Sequence, residues 1–229
     1  MGEFIQIAHP DGERQEAYLA LPPSGQGPAI LLLGEIYNVN AWVRAVADRY
    51  AAEGFVVLAP DLFWRDEATV YMDYTPENQQ RGRAFYARMD ADQVAGDLDA
   101  AIRHLRADPR VTGKITAIGF CLGGQLAVLA GARSNPDAII VYYGTDLHKF
   151  MDEIAALRQP ALFHFGAEDK LIPLEIAHEI SRRTAAHGTV ETHVYEGAGH
   201  GFARFGHPPH EPKADALATA RNLDLLKRL

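Results

Sequence analysis

The chain has 229 residues, 48% hydrophobic and 23% charged, which is the profile of an ordinary globular protein with enough apolar mass for a full core. Its formal net charge is −8 with no basic run, which argues against nucleic acid or an anionic membrane as the main partner, while a local arginine pair would still bind a small anion. One cysteine excludes an intrachain disulfide and any multi-thiolate zinc or iron–sulfur centre. Residues 4–8 and 16–21 around Asp11-Gly12 read as a β-hairpin at a sheet edge. Continuous apolar runs follow at 29–34, 55–60, 115–120, 138–144 and 161–166, with a further strand at 191–196; unbroken rather than alternating apolarity predicts strands covered on both faces, as in a parallel sheet.

Helical segments lie between these runs. Asn40 is placed to cap a helix to about Glu53 that Gly54 ends, and Thr75-Pro76 is a cap followed by a first-turn proline. Val94, Leu98, Ile102 and Leu105 form an apolar stripe at helical spacing. Further helices are expected at 122–133, 173–187 and 211–229. Repeated strand–helix–strand order predicts an α/β fold: a mostly parallel central sheet, helices on both faces, and an N-terminal antiparallel hairpin. With no linker-like stretch and no repeat, a single domain over 1–229 is expected. No basic stretch precedes an apolar core at the N-terminus, and Gln6 stands where a myristoylation pattern has Ser or Thr. The longest apolar runs fall far short of the ~18 residues a spanning helix needs, so a cytoplasmic location is expected.

The sharpest local signal is Gly119-Phe120-Cys121-Leu122-Gly123-Gly124, where a predicted strand meets a helix. It resembles the G-x-nucleophile-x-G elbow of the α/β-hydrolase fold, with cysteine in place of serine. Small neighbours let the chain turn sharply, and the helix N-terminus favours a thiolate. The plain alternative is a buried structural cysteine. In such folds the order is nucleophile, acid, histidine. Asp169, in Gly166-Ala167-Glu168-Asp169, follows a predicted strand end, with Glu168 a rival acid; His200 lies in the glycine-rich Gly197–Gly201 loop after the last strand. Asp169 would orient the His200 ring, and His200 would accept the Cys121 proton.

Together with Gly34-Glu35-Ile36, Ala59-Pro60-Asp61-Leu62 and His200-Gly201-Phe202-Ala203-Arg204, these motifs make the chain resemble the dienelactone hydrolase (carboxymethylenebutenolidase) family over most of its length. The resemblance implies a lactone substrate bearing a free carboxylate, opened through a cysteine acyl-enzyme without cofactor or metal. It implies that Glu35 interacts with the resting thiol and moves aside for an anionic substrate. A carboxylate beside a thiol disfavours a second negative charge; the plain alternative is that Glu35 caps its turn. The family pattern gives an oxyanion hole from the backbone N–H groups of Leu122 and Ile36. Arg204 and Arg81 fall at the family's carboxylate-binding arginines, with Arg83 two positions from the latter and Gly82 placed to interrupt the local helix. Gly201 stands where the family often has serine, and residues 63–74, with Trp64, Tyr71 and Tyr74, do not match closely.

His207 and His210, separated by two prolines, read as a solvated loop rather than a metal pair, and His164 as a satisfied core or strand-end histidine. The expected protein is thus a monomeric hydrolase of a small anionic lactone or ester. Two rival functions are a broader carboxylesterase of the same fold and a non-catalytic binding or thiol redox-sensing protein. A redox sensor needs no oxyanion loop, and the complete nucleophile–acid–histidine set argues against it.

Overall fold

A computed structural model describes residues 2–229, which fall into one compact unit ending at Ala117 and another from Ile118 to Leu229. In the first unit, β1 (Glu3–Ala8) and β2 (Arg14–Ala20) form the expected antiparallel hairpin, in register from Glu3 opposite Leu19 to Ala8 opposite Arg14. Next come β3 (Gly27–Leu33), α1 (Ala41–Ala52), β4 (Val56–Pro60), α2 (Pro76–Tyr86), α3 (Ala91–Ala107) and β5 (Val111–Phe120), the last running on into the second unit. Strand order here is β1-β2-β4-β3-β5; β2 pairs antiparallel with β4, and β4 pairs parallel with β3. β3 and β4 are almost wholly buried, as their unbroken apolarity requires.

The helix boundaries follow their capping chemistry. Asn40 accepts the Val43 N–H and opens α1, whose buried residues Trp42, Val43, Val46, Ala47, Tyr50 and Ala51 recur at helical spacing. Gly54, at φ +105°, ends it: the Gly54 and Phe55 N–H groups close back on Ala51 and Tyr50. Thr75 caps α2 on the Asn78 N–H, and Asp90 caps α3 on the Asp92 and Gln93 N–H groups. Gly82 does not break α2. It is buried, and a Cβ there would lie 2.2 Å from the Ile36 carbonyl oxygen, so glycine lets the helix backbone press on the loop after β3. In α3, Leu98, Ile102 and Leu105 are buried as expected, whereas Val94 is half-buried and Ala95 takes the core position.

The second unit holds the end of β5, α4 (Leu122–Arg133), β6 (Ala138–Tyr142), a 3-10 turn (Leu147–Phe150), α5 (Met151–Ala156), β7 (Ala161–Gly166), α6 (Leu174–Thr184), β8 (Val190–Tyr195) and α7 (Pro212–Arg228). Strand order continues β5-β6-β7-β8, with β6 parallel to β7 and β7 parallel to β8. α4 is buried from Leu122 to Ala130 and, apart from Gln125, carries only apolar residues and glycine over that stretch. β8 ends the strand order and is the one half-exposed strand of this unit, while β6 and β7 are fully buried. The 3-10 turn and α5 have no counterpart in the sequence reading, yet Leu147, Phe150, Met151 and Ile154 are buried at i, i+3, i+4 and i+7. Among the described residues no helix is long and apolar enough to cross a membrane.

One buried carboxylate organises the segment after β4. Asp61, wholly buried, accepts the Asn38 side-chain amide and the Phe63 and Thr69 N–H groups, while Asn38 accepts the Leu62 N–H and donates to the Val70 carbonyl. Burial raises the Asp61 pKa above the ordinary carboxylate value, against the pull of its hydrogen-bond donors. Replacing Asp61 by Ala would strand these donors in the core. Asp61→Ala is expected to cost about 3 kcal/mol, since removing one partner of a buried charged group leaves the others unsatisfied; urea denaturation measures the loss.

Candidate active site

Three chain segments of the second unit converge. The first is the turn from β5 into α4. Cys121 occupies φ +56°, ψ −114°, a conformation that costs a side-chain-bearing residue about 1–3 kcal/mol. Hydrogen bonds hold it there: its N–H donates to the Tyr142 carbonyl at 3.0 Å, and its carbonyl accepts the Gly124 N–H at 3.0 Å and the Thr145 N–H at 3.2 Å. The glycines are obligatory. A Cβ on Gly119 would fall 1.8 Å from the Gly123 carbonyl oxygen, and one on Gly124 would fall 2.8 Å from the Gly144 Cα. Cys121 is the residue from which α4 begins, and its side chain makes no cap hydrogen bond, so the backbone donors of the first turn are not taken up by that side chain.

The second segment follows β7. Of the two adjacent acids Glu168 is exposed, while the Asp169 side chain is only 1% exposed. Asp169 Oδ1 accepts the Leu171 and Ile172 N–H groups at 2.8 and 3.1 Å, which aims Oδ2 at His200 Nδ1, 2.9 Å away. The third segment is the loop after β8. It is tied to the acid loop by Glu168 N–H to the Ala198 carbonyl and Ala167 N–H to the Tyr195 carbonyl, both 2.9 Å. A Cβ on Gly166 would lie 2.3 Å from the Ala198 oxygen, so glycine permits this approach.

Burial alone would lower the pKa of His200, but the Cys121 sulfur and the Asp169 carboxylate outweigh it and raise the value from 6.5 to about 10. Nε2 is buried and makes no hydrogen bond of good geometry, so Cys121 acts on the ring through charge more than through an aligned bond. With the imidazole protonated, the arrangement suits a thiolate–imidazolium pair held by a carboxylate. The Tyr143 ring stands edge-on to His200 at 5.0 Å, and Phe202, two residues beyond His200, packs edge-on against Tyr143 at 5.4 Å. The sequence reading did not single out these two aromatics, although a Tyr-Tyr-Gly run at a strand end and an aromatic two positions after the histidine were visible in it.

Arg204 follows on the His200 loop, its N–H donating to the Gly201 carbonyl at 2.9 Å. Gly201 sits at φ +82°, and a Cβ there would stand 3.2 Å from the Arg204 guanidinium carbon. Serine at this position would therefore be strained and would crowd the guanidinium. The sequence candidate Leu122 opens α4 in the second unit, whereas Glu35, Ile36, Arg81 and Arg83 belong to the first. Glu35 is 1% exposed, and Tyr74 donates a hydrogen bond to its Oε2 at 3.1 Å; Tyr74 comes from the stretch that the family pattern did not match. Ile36 lies under Gly82 of α2. Arg81 pairs with Glu67 at 2.7 Å on an exposed face, and Arg83 is exposed. His210 bonds to Asp215 at 2.9 Å.

A family model described as "Dienelactone hydrolase family" matches residues 15–229. The chain is 34% identical to a carboxymethylenebutenolidase of Pseudomonas putida over 228 residues, 99% of this chain and 97% of that one. It is 31% identical to carboxymethylenebutenolidase 1 of Cupriavidus pinatubonensis, over 100% of this chain and 98% of the other. Among solved structures, a Klebsiella pneumoniae protein named for dienelactone hydrolase superposes with a TM-score of 0.84 at 26% identity, covering 98% of this chain and 97% of that one.

Two outcomes are expected from this geometry. Cys121→Gly and Cys121→Ala both abolish any thiol chemistry, and the glycine variant should be the more stable of the two by about 1 kcal/mol, because glycine relieves the positive-φ strain that alanine keeps, seen as a higher denaturation midpoint. By NMR the His200 imidazole should titrate near 10, and at a lower pH in Cys121→Ala, which removes a neighbour that raises it. Because the folded-state value lies above the unfolded 6.5, the stability from this pair is complete below about 6.5 and is lost as pH rises through about 10.

Proposed function

The chain belongs to the dienelactone hydrolase family and is a hydrolase of lactone or ester bonds, and from that premise we propose that it opens a carboxylate-bearing enol-lactone through a cysteine acyl-enzyme. The reaction is of the dienelactone-to-maleylacetate type and serves the breakdown of aromatic compounds. The observation that carries this reading is the Asp169–His200 pair at 2.9 Å beside Cys121 on its strained turn.

In the proposed sequence His200 holds the thiol proton of Cys121, and the thiolate attacks the lactone carbonyl carbon. The tetrahedral oxyanion accepts the Leu122 N–H at the start of α4, the donor supplied by the second unit. Collapse breaks the ring C–O bond and leaves a thioester. The departing enolate takes the proton from His200 and becomes a ketone. His200, neutral again, removes a proton from water, which attacks the thioester; the sulfur leaves, and the acid product departs with a second carboxylate. Asp169 stabilises the imidazolium at each proton transfer and fixes its tautomer.

Arg204, on the same loop as His200, is the cation proposed for the substrate's free carboxylate. Arg81 as its partner, Ile36 as the second oxyanion donor and Glu35 as the carboxylate that moves aside enter through the family resemblance. Arg81 would exchange Glu67 for the substrate, a small cost for an exposed pair.

The test follows loss of a dienelactone by ultraviolet absorbance, beside a neutral aryl ester. Wild type should consume the lactone, and Cys121→Ala should lose on the order of 10⁴-fold or more in kcat. Arg204→Ala should lose about 10- to 100-fold in kcat/KM on the lactone, the worth of one charge-assisted contact, and little on the neutral ester. Equal turnover of ester by wild type and Arg204→Ala, with no lactone turnover, would leave a general carboxylesterase. No turnover of either would leave a binding or thiol-sensing protein.

A further inference from the structure

The three segments that carry Cys121, Asp169 and His200 are joined by a chain of polar side chains, buried except for the half-buried Arg221, that the proposed reaction does not use. Arg221 Nη1, on α7, donates to Tyr195 Oη at 2.9 Å. Tyr195 Oη lies 2.8 Å from His164 Nδ1; His164 Nε2 lies 2.8 Å from Asn222 Oδ1; and Asn222 Nδ2 donates to Tyr142 Oη at 2.7 Å. His164 and Asn222 are wholly buried, and Tyr142 is 1% exposed. The Asn222 amide sets the direction of the chain. Its Nδ2 donates to Tyr142, so its carbonyl oxygen is the atom facing His164 Nε2, which therefore carries the ring proton. His164 Nδ1 is then an acceptor, and Tyr195 donates its proton to it while accepting from Arg221. Burial holds the imidazole neutral, with its pKa lowered to about 3, so the chain keeps this sense throughout the neutral range.

Each tyrosine and the histidine also hold the site through their backbones. The Tyr142 carbonyl accepts the N–H of Cys121 at 3.0 Å. The His164 carbonyl accepts the N–H of Tyr143, whose ring faces His200. The Tyr195 carbonyl accepts the N–H of Ala167 on the acid loop and of Ala198 on the histidine loop. Phe202, two residues beyond His200, packs against the rings of Tyr142, Tyr143 and Tyr195 at 5.9, 5.4 and 5.2 Å.

We propose that the buried chain Arg221–Tyr195–His164–Asn222–Tyr142 is a positioning network for the hydrolytic reaction, with His164 its central member. It fixes the ends of β6, β7 and β8 against α7, and so sets the distance and angle between the nucleophile turn and the His200 ring. None of its side chains touches substrate. Its contribution is made in the transition state, where displacing a reacting group by an ångström costs up to 100-fold in rate. Breaking it should lower kcat and leave KM nearly unchanged. The inference rests on the hydrolytic reading above for its kinetic consequence.

The test compares His164→Leu, Tyr195→Phe and His164→Gln with wild type in dienelactone turnover, thermal unfolding and the NMR titration of His200. The glutamine amide presents one acceptor and one donor in place of the two ring nitrogens, whereas leucine presents neither. His164→Leu and Tyr195→Phe should lose about 10- to 100-fold in kcat with KM within about twofold. In both, the His200 titration should move down from about 10 as the ring leaves Cys121 and Asp169. His164→Gln should keep both properties near wild type. If His164→Leu does not fold, Tyr195→Phe, which removes a single oxygen, gives the same reading. Lower unfolding temperatures with unchanged kcat and an unchanged His200 titration would overturn the inference, as would a His164→Gln variant as impaired as His164→Leu. The His200 titration requires no substrate. An absence of wild-type lactone turnover would therefore count against the hydrolytic reading, while the response of His200 still decides the positioning role.

Discussion

Much of the second unit depends on one backbone conformation, the positive φ of Cys121. A side chain held there stores strain, and strain persists only where the surroundings over-determine it. The surroundings here are specific. Gly119 and Gly124 clear the space, the Tyr142 carbonyl and Thr145 N–H grip the residue from both sides, and the buried α4 behind it cannot shift without disturbing the core. The return is a sulfur at the end of β5, beside a helix N-terminus and next to a histidine whose affinity for a proton it increases.

The two units handle buried polar groups differently. In the first, the Asp61 carboxylate gathers backbone and amide donors, so a charged acceptor is surrounded and the segment after β4 is wound around it. In the second, the polar chain through His164 runs from Arg221 on α7 through buried neutral groups, each with its donors and acceptors matched. Both satisfy the requirement that polar atoms in a dry interior find partners. The first fixes a loop. The second joins three strand ends to a helix.

Much of the fold was legible because it rests on local rules. The hairpin, the capped starts at Asn40 and Thr75, the stop at Gly54 and the buried runs each follow from composition and spacing within a few residues. The boundaries that differ have tertiary causes. Val94 yields its place to Ala95 because the packed face of α3 is rotated slightly from the plain stripe, and Gly82 stays helical because α2 needs close approach to Ile36 more than it needs a helix-favouring side chain. α5 went unread because six residues are too few to show a period by themselves, though the 3-10 turn before it completes one.

The sequence by itself determined the residue types of the candidate site and their order along the chain: a cysteine between glycines at a strand–helix junction, then an acid, then a histidine in a glycine-rich loop. Those are local requirements of turn geometry and chemistry, so they leave local marks. Only the tertiary structure decided between Glu168 and Asp169, since both follow β7 and the choice rests on which carboxylate the Leu171 and Ile172 N–H groups turn toward His200. It alone assigned His164 its partners, because Tyr195 lies 31 positions and Asn222 58 positions away. A hydrogen bond needs about 3 Å of proximity and nothing in sequence distance, so a network assembled from three strands and a helix has no periodicity for a sequence to display.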